Sequence, residues 1–504
     1  NESEGVYRTS VSKFHNRSYY LNGLLNESYI AKGSDETDLY SKTVNTYDIK
    51  SILSFDPVNN NYGLINTTAA NLAATFDTGG QEGRKSAAVV LSKTQTYLYE
   101  LGTTPLSTEV QFTYDKYGRV TEYLDKATAT SADDYKSVIT YSTNTTLINN
   151  NILNVPTDIK VYRVSPSTLL KQRTAVYNTT YGHVDNMTVK LNSSDNAVTS
   201  FLYDAYGNLK KVTLPPNAAS QTMSYTYNYD TTLNKYVVSV VDDYSYTSST
   251  TYDYRFDKPL TTTDISGNVM TYTYDNFGRT LTIKAPKEAA QSKPYTIKFE
   301  YYPKFADLPL GQSCVQSGDF VPLAITKHYD SFYPTNDIET YTLMDGLGRA
   351  VQVKKDIEMN TGSPSSPNYS ERMSVSGIAT YDEFGRVVEQ HHPWHENKAC
   401  ATNYKFNEYA TAYSSTTEYD ELDRPIKVVD AAGGETEMTY AIANDFFSTP
   451  AVRTKTVTDQ NGTADIITEV YKNITGKVTS TKNVLTGSGG SDDIWTSFTY
   501  NAIG

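Results

Sequence analysis

Along most of the chain, aromatic or β-branched residues alternate with small polar ones, as in Ser224-Tyr225-Thr226-Tyr227-Asn228-Tyr229 and Met270-Thr271-Tyr272-Thr273-Tyr274. An alternation of period two puts the two sets on opposite faces of an extended strand. The predicted fold class is therefore all-β, a long antiparallel strip of β-hairpins. Helical signal is weak. Ala69 to Ala74 and Arg84 to Leu91 each suit a short helix or turn, and neither sustains a period of 3.6.

Self-similarity is the strongest feature of the pattern. Tyr114-Asp115-Lys116-Tyr117-Gly118-Arg119-Val120 recurs as Tyr203-Asp204-Ala205-Tyr206-Gly207-Asn208-Leu209, as Tyr274-Asp275-Asn276-Phe277-Gly278-Arg279 and as Tyr381-Asp382-Glu383-Phe384-Gly385-Arg386-Val387. Drifted copies begin at Met344, Tyr419 and Tyr471, and an incomplete one runs from Tyr500 to Gly504. More eroded copies start at Tyr177 and Tyr252. Each copy reads as a hairpin: a strand ends in Tyr, Asp bonds turn amides, Gly supplies a positive φ, and Arg or Lys opens the returning strand. The Arg stem is expected along the aromatic ring four or five positions earlier, with its head on the Asp of its own or a neighbouring copy. Because the same Asp recurs wherever the chain turns, it reads as scaffold rather than as a catalytic carboxylate.

The copies are unevenly spaced, which does not suit a solenoid of fixed rungs but suits hairpins of different lengths. Polar insertions at Gly362-Ser363-Pro364-Ser365-Ser366-Pro367 and from Gly487 to Asp493 read as exposed loops. Residues 1–105 lack a clear copy and form an irregular β region leading into the repeats, and residues 106–504 form the repeat strip, cut within a repeat at its end.

Composition sharpens this picture. The hydrophobic set is 38% of the 504 residues, and 44 of these are Tyr. Counting Gly in place of Tyr lowers the fraction to about 35%, against ~45–50% for an ordinary globular domain, which argues against one thick apolar core. Net charge is −13, with no long basic run, which argues against nucleic acid as a partner. No apolar stretch approaches the ~20 residues of a membrane span, and Asn1 to Arg8 do not form a signal peptide. Cys314 and Cys400 allow one bridge or two buried thiols, not a disulfide framework.

The Tyr-Asp-x-Tyr/Phe-Gly-Arg blocks resemble the YD repeats of the RHS family, which includes bacterial Rhs toxins, the B and C components of Tc toxins, wall-associated bacterial proteins and animal teneurins. The resemblance covers Phe112 to Gly504, and Lys13 to Gly23 is similar to the segment that precedes the repeats in Tc B-component-like and SpvB-associated proteins. It implies a strip that spirals into a hollow shell, only part of it present here, around a C-terminal toxin or effector domain. The implied partners are the remainder of the chain's own polypeptide, namely the RHS core and the enclosed toxin domain, and delivery or secretion machinery. The implied location is secreted or at a bacterial cell surface. An RHS core ends in an aspartyl self-cleavage site around Asp-Pro-x-Gly. Here the one Asp-Pro, Asp56-Pro57-Val58-Asn59, stands near the other end and lacks the Gly.

Candidate chemistry is sparse. His391-His392-Pro393-Trp394-His395-Glu396 is rich in metal-capable side chains, but Pro393 prevents the helix that would align the histidines, so a surface loop with a packed Trp is expected. Asp459-Gln460-Asn461-Gly462-Thr463-Ala464-Asp465 lacks the bidentate Glu of a calcium loop and reads as a hairpin turn. His15, His183 and His328 sit in no nucleophile motif, and neither a Gly-x-Ser-x-Gly elbow nor a phosphate-binding glycine loop occurs. Asn-x-Ser/Thr sequons at Asn16, Asn66, Asn144, Asn178 and Asn473 are expected by chance in such a composition. No catalytic, cofactor-binding or metal residue is assigned. The expected function is a non-enzymatic scaffold, the wall of an encapsulating shell. An extracellular adhesion or wall-associated protein with a ligand- or carbohydrate-binding surface is the alternative.

Overall fold

The computed structural model describes residues 7–16, 19–34, 36–53, 63–67, 86–126, 134–308, 320–399, 403–407, 413–460, 463–485 and 493–500. Cys314, Cys400, Asp56-Pro57, the Ala69 to Ala74 segment, most of the Gly487 insertion and the last four residues lie outside them. The chain is 57% strand and 3% helix. It divides into two units: Asn1–Leu202 with Val212–Met223 and Thr436–Gly504, and Tyr203–Lys211 with Ser224–Glu435.

The first unit contains an antiparallel ladder in which each strand pairs with the next. Its members are Arg8–Phe14, Leu25–Lys32, Leu39–Leu53, Ala87–Leu98, Leu106–Tyr114, Val120–Lys126, Tyr135–Tyr141, Pro156–Arg163, Thr168–Tyr177, Val184–Lys190 and Asn196–Tyr203. It also holds the meander Glu435–Asn444, Pro450–Gln460, Thr463–Lys472, Val478–Val484 and Ile494–Ser497. The second unit carries a ladder from Ser224–Tyr229 through successive hairpins to Tyr369–Ser376, which pairs onward with Trp394–Asn397. A short ladder of Ala379–Tyr381, Val387–His391, Ser414–Tyr419 and Pro425–Val429 completes it.

Strand Val269–Tyr274 shows why these sequences fold this way: Val269, Thr271 and Thr273 are exposed, whereas Met270, Tyr272 and Tyr274 are half-buried. The outward threonines bond across the ladder, Thr273 Oγ1 to Thr282 Oγ1 at 2.7 Å. The helix or turn expected near Arg84 to Leu91 is corrected where it is described: Ala87–Leu98 is a strand, because Val89 and Val90 pair with Ile49 and Asp48 and the pairing outweighs the alanines. Two five-residue helices were not legible, Thr145–Asn149 and Pro286–Ala290. In the first, the Asn144 side chain accepts the Leu147 amide as an N-cap.

Burial is thin, as the composition requires. A compact core lies in the second unit, where Tyr302, Leu308, Leu323, Ile325, Tyr341, Leu343, Met373 and Tyr404 pack together. Elsewhere the strands keep most aromatic rings at a half-buried surface, where a tyrosine can satisfy water and protein at once.

Candidate functional site

The repeated turn is the most highly organised chemistry in the molecule. In the first copy the Asp115 amide bonds the Arg119 carbonyl at 2.9 Å, and the Gly118 amide bonds the Asp115 carbonyl at 3.0 Å. Gly118 stands at φ +77°. Asp115 Oδ1 accepts the amides of Tyr117 and Arg119, and Oδ2 accepts Arg119 Nε at 2.7 Å. This is a tight turn closed by a left-handed residue and a bulge, and the ladder shifts register at Tyr114 to absorb it. Asp275, Asp345, Asp382 and Asp420 repeat the carboxylate clamp with Arg279, Arg349, Arg386 and Arg424. Asp204 repeats it with Asn208.

The same turn also closes where the blocks were not recognised. Asn217, Asp242, Asp264, Asp430 and Asp445 each accept the amides two and four residues on. Ser220, Ser245 and Ser448 take the left-handed position at φ +58° to +67°. Asp/Asn-x-x-Gly/Ser, without the flanking Tyr and Arg, was the available signal.

The arginine heads meet the Asp of their own copy, as expected, and stack on rings at other positions than the one along which the stem is expected. Arg119, Arg279 and Arg386 lie over the ring two residues earlier, Tyr117, Phe277 and Phe384. They also lie over a ring of the following hairpin, Tyr141, Tyr301 and Tyr419, at 4.2 to 4.9 Å. The fixed Asp–Arg pair points the guanidinium sideways across the ladder, not back down its own strand.

Each of those tyrosines is held at its other end. The hydroxyls of Tyr141, Tyr301 and Tyr419 donate to the carbonyls of Val120, Thr280 and Val387, the residues that follow the three arginines. Tyr229 and Leu209 repeat the bond, as do Tyr274 with Pro259 and Tyr500 with Val478. In the last two, Lys258 and Lys477 lie over the rings in place of Arg. Burial pushes the Tyr141, Tyr274 and Tyr301 phenols above the usual tyrosine range, with Arg119 and Arg279 opposing it at Tyr141 and Tyr301. The Asp345 carboxyl lies below the usual range, chiefly through the Arg349 amide. At Asp275 and Asp382, desolvation acts upward and is outweighed by the arginine and amide donors. A carboxylate so fully committed to its own turn holds backbone geometry, and its proton affinity is moved away from that of a general acid.

A second polar group is buried in the second unit. Lys354 Nζ meets Glu396 Oε1 at 2.7 Å with the lysine side chain wholly covered. Asn407 Nδ2 donates to Glu396 Oε2, and Gln352 bonds the Asn407 backbone through both ends of its amide. Burial pushes the Lys354 ammonium below the usual lysine range, against the pull of Glu396. The expected surface loop around the histidines is thereby corrected. His391 ends one strand and His395 belongs to another, with only His392-Pro393 between them. Glu396 faces inward because its strand pairs with Tyr369–Ser376. Among the described residues no group of three His, Cys, Asp or Glu is placed to hold a metal ion. The strands around the calcium-like segment pair up to Gln460 and Thr463, with residues 461–462 between them outside the description. Asn144, Asn178 and Asn473 of the sequons accept backbone amides in a helix cap and two turns.

No protein-family model matches the sequence, and no curated protein matches it. Solved structures do. The crystal structure of TcdB2-TccC3 aligns over 92% of this chain at TM-score 0.59 and 15% identity. The Photorhabdus luminescens Tc holotoxin pore aligns over 96% at TM-score 0.66 and 14% identity. TcdB2-TccC3-TEV aligns over 96% at TM-score 0.64 and 14% identity. The chain spans 29–31% of the length of those chains. It has the fold of these Tc toxin structures, as the resemblance of its Tyr-Asp blocks implies.

Proposed function

We propose that this chain is a section of shell wall, a non-enzymatic scaffold that encloses a C-terminal toxin or effector domain of a large secreted bacterial protein. The observation that carries the reading is the serial fastening of hairpins. An Arg or Lys from one turn supports the tyrosine of the next, whose hydroxyl returns to the strand just left. Such a strip gains order from hairpin to hairpin without a thick core, which is what a wall one sheet deep requires. The commitment of the turn aspartates to backbone donors supports a structural role over a catalytic one. The likeness to TcdB2-TccC3 and to the Tc holotoxin supports a shell. Residues 1–105 lead into the wall and residues 106–504 form it. Its partners are the remainder of its own polypeptide, including an RHS core and the enclosed domain, together with delivery or secretion machinery. Cryo-electron microscopy of the full-length polypeptide tests this: a closed β-walled container around protected density is expected, and a rod or flat sheet without a lumen overturns it.

A further inference from the structure

Six strands of the second unit pair in series: Ile297–Tyr302, Leu323–His328, Ile338–Met344, Ala350–Asn360, Tyr369–Ser376 and Trp394–Asn397. Their alternation divides charge between two faces. Glu300, Glu339, Asp356, Glu358, Glu371 and Glu396 all stand on the face of the buried Met373 and Val375. Lys298, Lys327 and Lys354 stand there too, and each meets one of these carboxylates at 2.7 to 3.3 Å. The opposite face has no Asp or Glu on any of the six strands, and its basic residues are His328, Lys355, Arg372 and His395.

Three of these converge. Lys355 and His395 flank Ser374 across the ladder, and Arg372 lies two residues along from that serine, which gathers them within about 10 Å by strand geometry. Lys355 and His395 are exposed and Arg372 is half-buried. Among the described residues none of the three has an ion-pair or hydrogen-bond partner, in a chain of net charge −13. Arg372 Nε and, beside it, Ser370 Oγ are covered and unbonded. A covered donor without an acceptor is unfavourable, and a carboxylate is an acceptor that matches the guanidinium fork. Val353, Ile357 and Met359 lie half-buried on the same face. An open sheet face of this kind suits a polypeptide segment, which covers the apolar area while its carboxylates meet the cations. Nucleic acid suits it less, because the chain as a whole repels a polyanion.

We propose that this face docks an acidic segment of a partner protein, whose carboxylates pair with Arg372 and Lys355. Fluorescence anisotropy of the whole chain tests it with a labelled peptide of alternating Glu and Val, the same peptide with Gln for Glu, and tripolyphosphate as competitor. The Glu peptide is expected to bind, more weakly as salt rises, and the Gln peptide not. Arg372→Gln is expected to weaken binding about tenfold or more and Lys355→Gln by a smaller factor. Lys190→Gln, at an exposed lysine of the first unit, leaves it unchanged. Neither Arg372 nor Lys355 makes a bond within the described fold, so both variants are expected to unfold at the parent temperature, which separates lost binding from misfolding. Carbodiimide coupling of the bound Glu peptide to the parent chain, mapped by mass spectrometry, is expected at Lys355. No anisotropy change at low salt, equal binding of the Gln peptide, or an unaffected Arg372→Gln variant overturns the proposal. So does coupling only at other lysines, or displacement by tripolyphosphate at far lower concentration than by unlabelled Glu peptide, which would assign the face to phosphate.

Discussion

The guanidinium of Arg386 lies 4.9 Å from the ring centre of Tyr419, and the hydroxyl of that same ring donates to the carbonyl of Val387 at 2.9 Å. One tyrosine of a later hairpin is thus gripped at its face and at its tip by two consecutive residues of an earlier one. Arg386 further donates from Nη1 to Asp423 Oδ1 at 2.9 Å and to the Asp420 carbonyl at 3.2 Å, in the next turn. The arginine closes its own turn and docks the following one.

Removing only the hydroxyl isolates the tip of this grip. Tyr419→Phe keeps the ring on Arg386 and leaves the Val387 carbonyl short of a donor, a loss of about 0.5–1.5 kcal/mol. Arg386→Ala costs more, since it releases Asp382, Asp423 and the ring together. A double-mutant cycle by chemical denaturation is expected to give a nonzero coupling between the two positions, and strict additivity contradicts the relay.

Backbone sign at the turn gives a graded series. Gly385 stands at φ +78° in open space, so Gly385→Ala pays only the left-handed conformation, roughly 1–2 kcal/mol. Gly278→Ala costs more, because its Cβ would fall 2.8 Å from Phe256 Cδ1. Ser448, at φ +58°, already pays the conformational cost, and Ser448→Gly is expected to stabilise by about 0.5–1 kcal/mol. Asp382→Asn retains the oxygen that accepts the Phe384 and Arg386 amides, so it lowers the melting temperature less than Gly385→Val does. Thermal unfolding checks the order.

The turn carboxylates and the docking phenols bound a pH plateau. Asp275, Asp345 and Asp382 have depressed folded values, so their contribution is present above the unfolded value near ~4 and is lost as pH falls through the folded ones. Tyr141, Tyr274 and Tyr301 have raised folded values, so theirs is present below ~10 and lost as pH rises through the folded ones. The contribution of these two sets of groups is expected to be flat between these limits. A part of the phenolate absorbance is expected to grow only together with unfolding on the alkaline side, and titration of all the phenols in the native state contradicts the buried grip.

The covered lysine gives an asymmetric pair of variants. Lys354→Met leaves Glu396 charged and enclosed, a loss of roughly 3–5 kcal/mol. Lys354→Met with Glu396→Gln removes the charge while an amide oxygen remains for Asn407, and most of the loss is expected to return. Denaturant midpoints of the two variants decide it.

The sequence by itself determined the strands and the turns, because both depend on neighbours along the chain. Period-two alternation sets which face of Val269–Tyr274 is wet, and Asp275 finds the amides of Phe277 and Arg279 within four residues. The turns at Asp242 and Asp445 escaped because neither the preceding Tyr nor the closing Arg of the block is present there, and serine stands in the left-handed position. Tertiary structure alone decided what lies across the ladder. That Arg386 reaches Tyr419, that Glu396 covers Lys354, and that Glu358 faces Glu371 depend on the register between distant segments. Unequal hairpin lengths break any fixed spacing from which a sequence could supply that register.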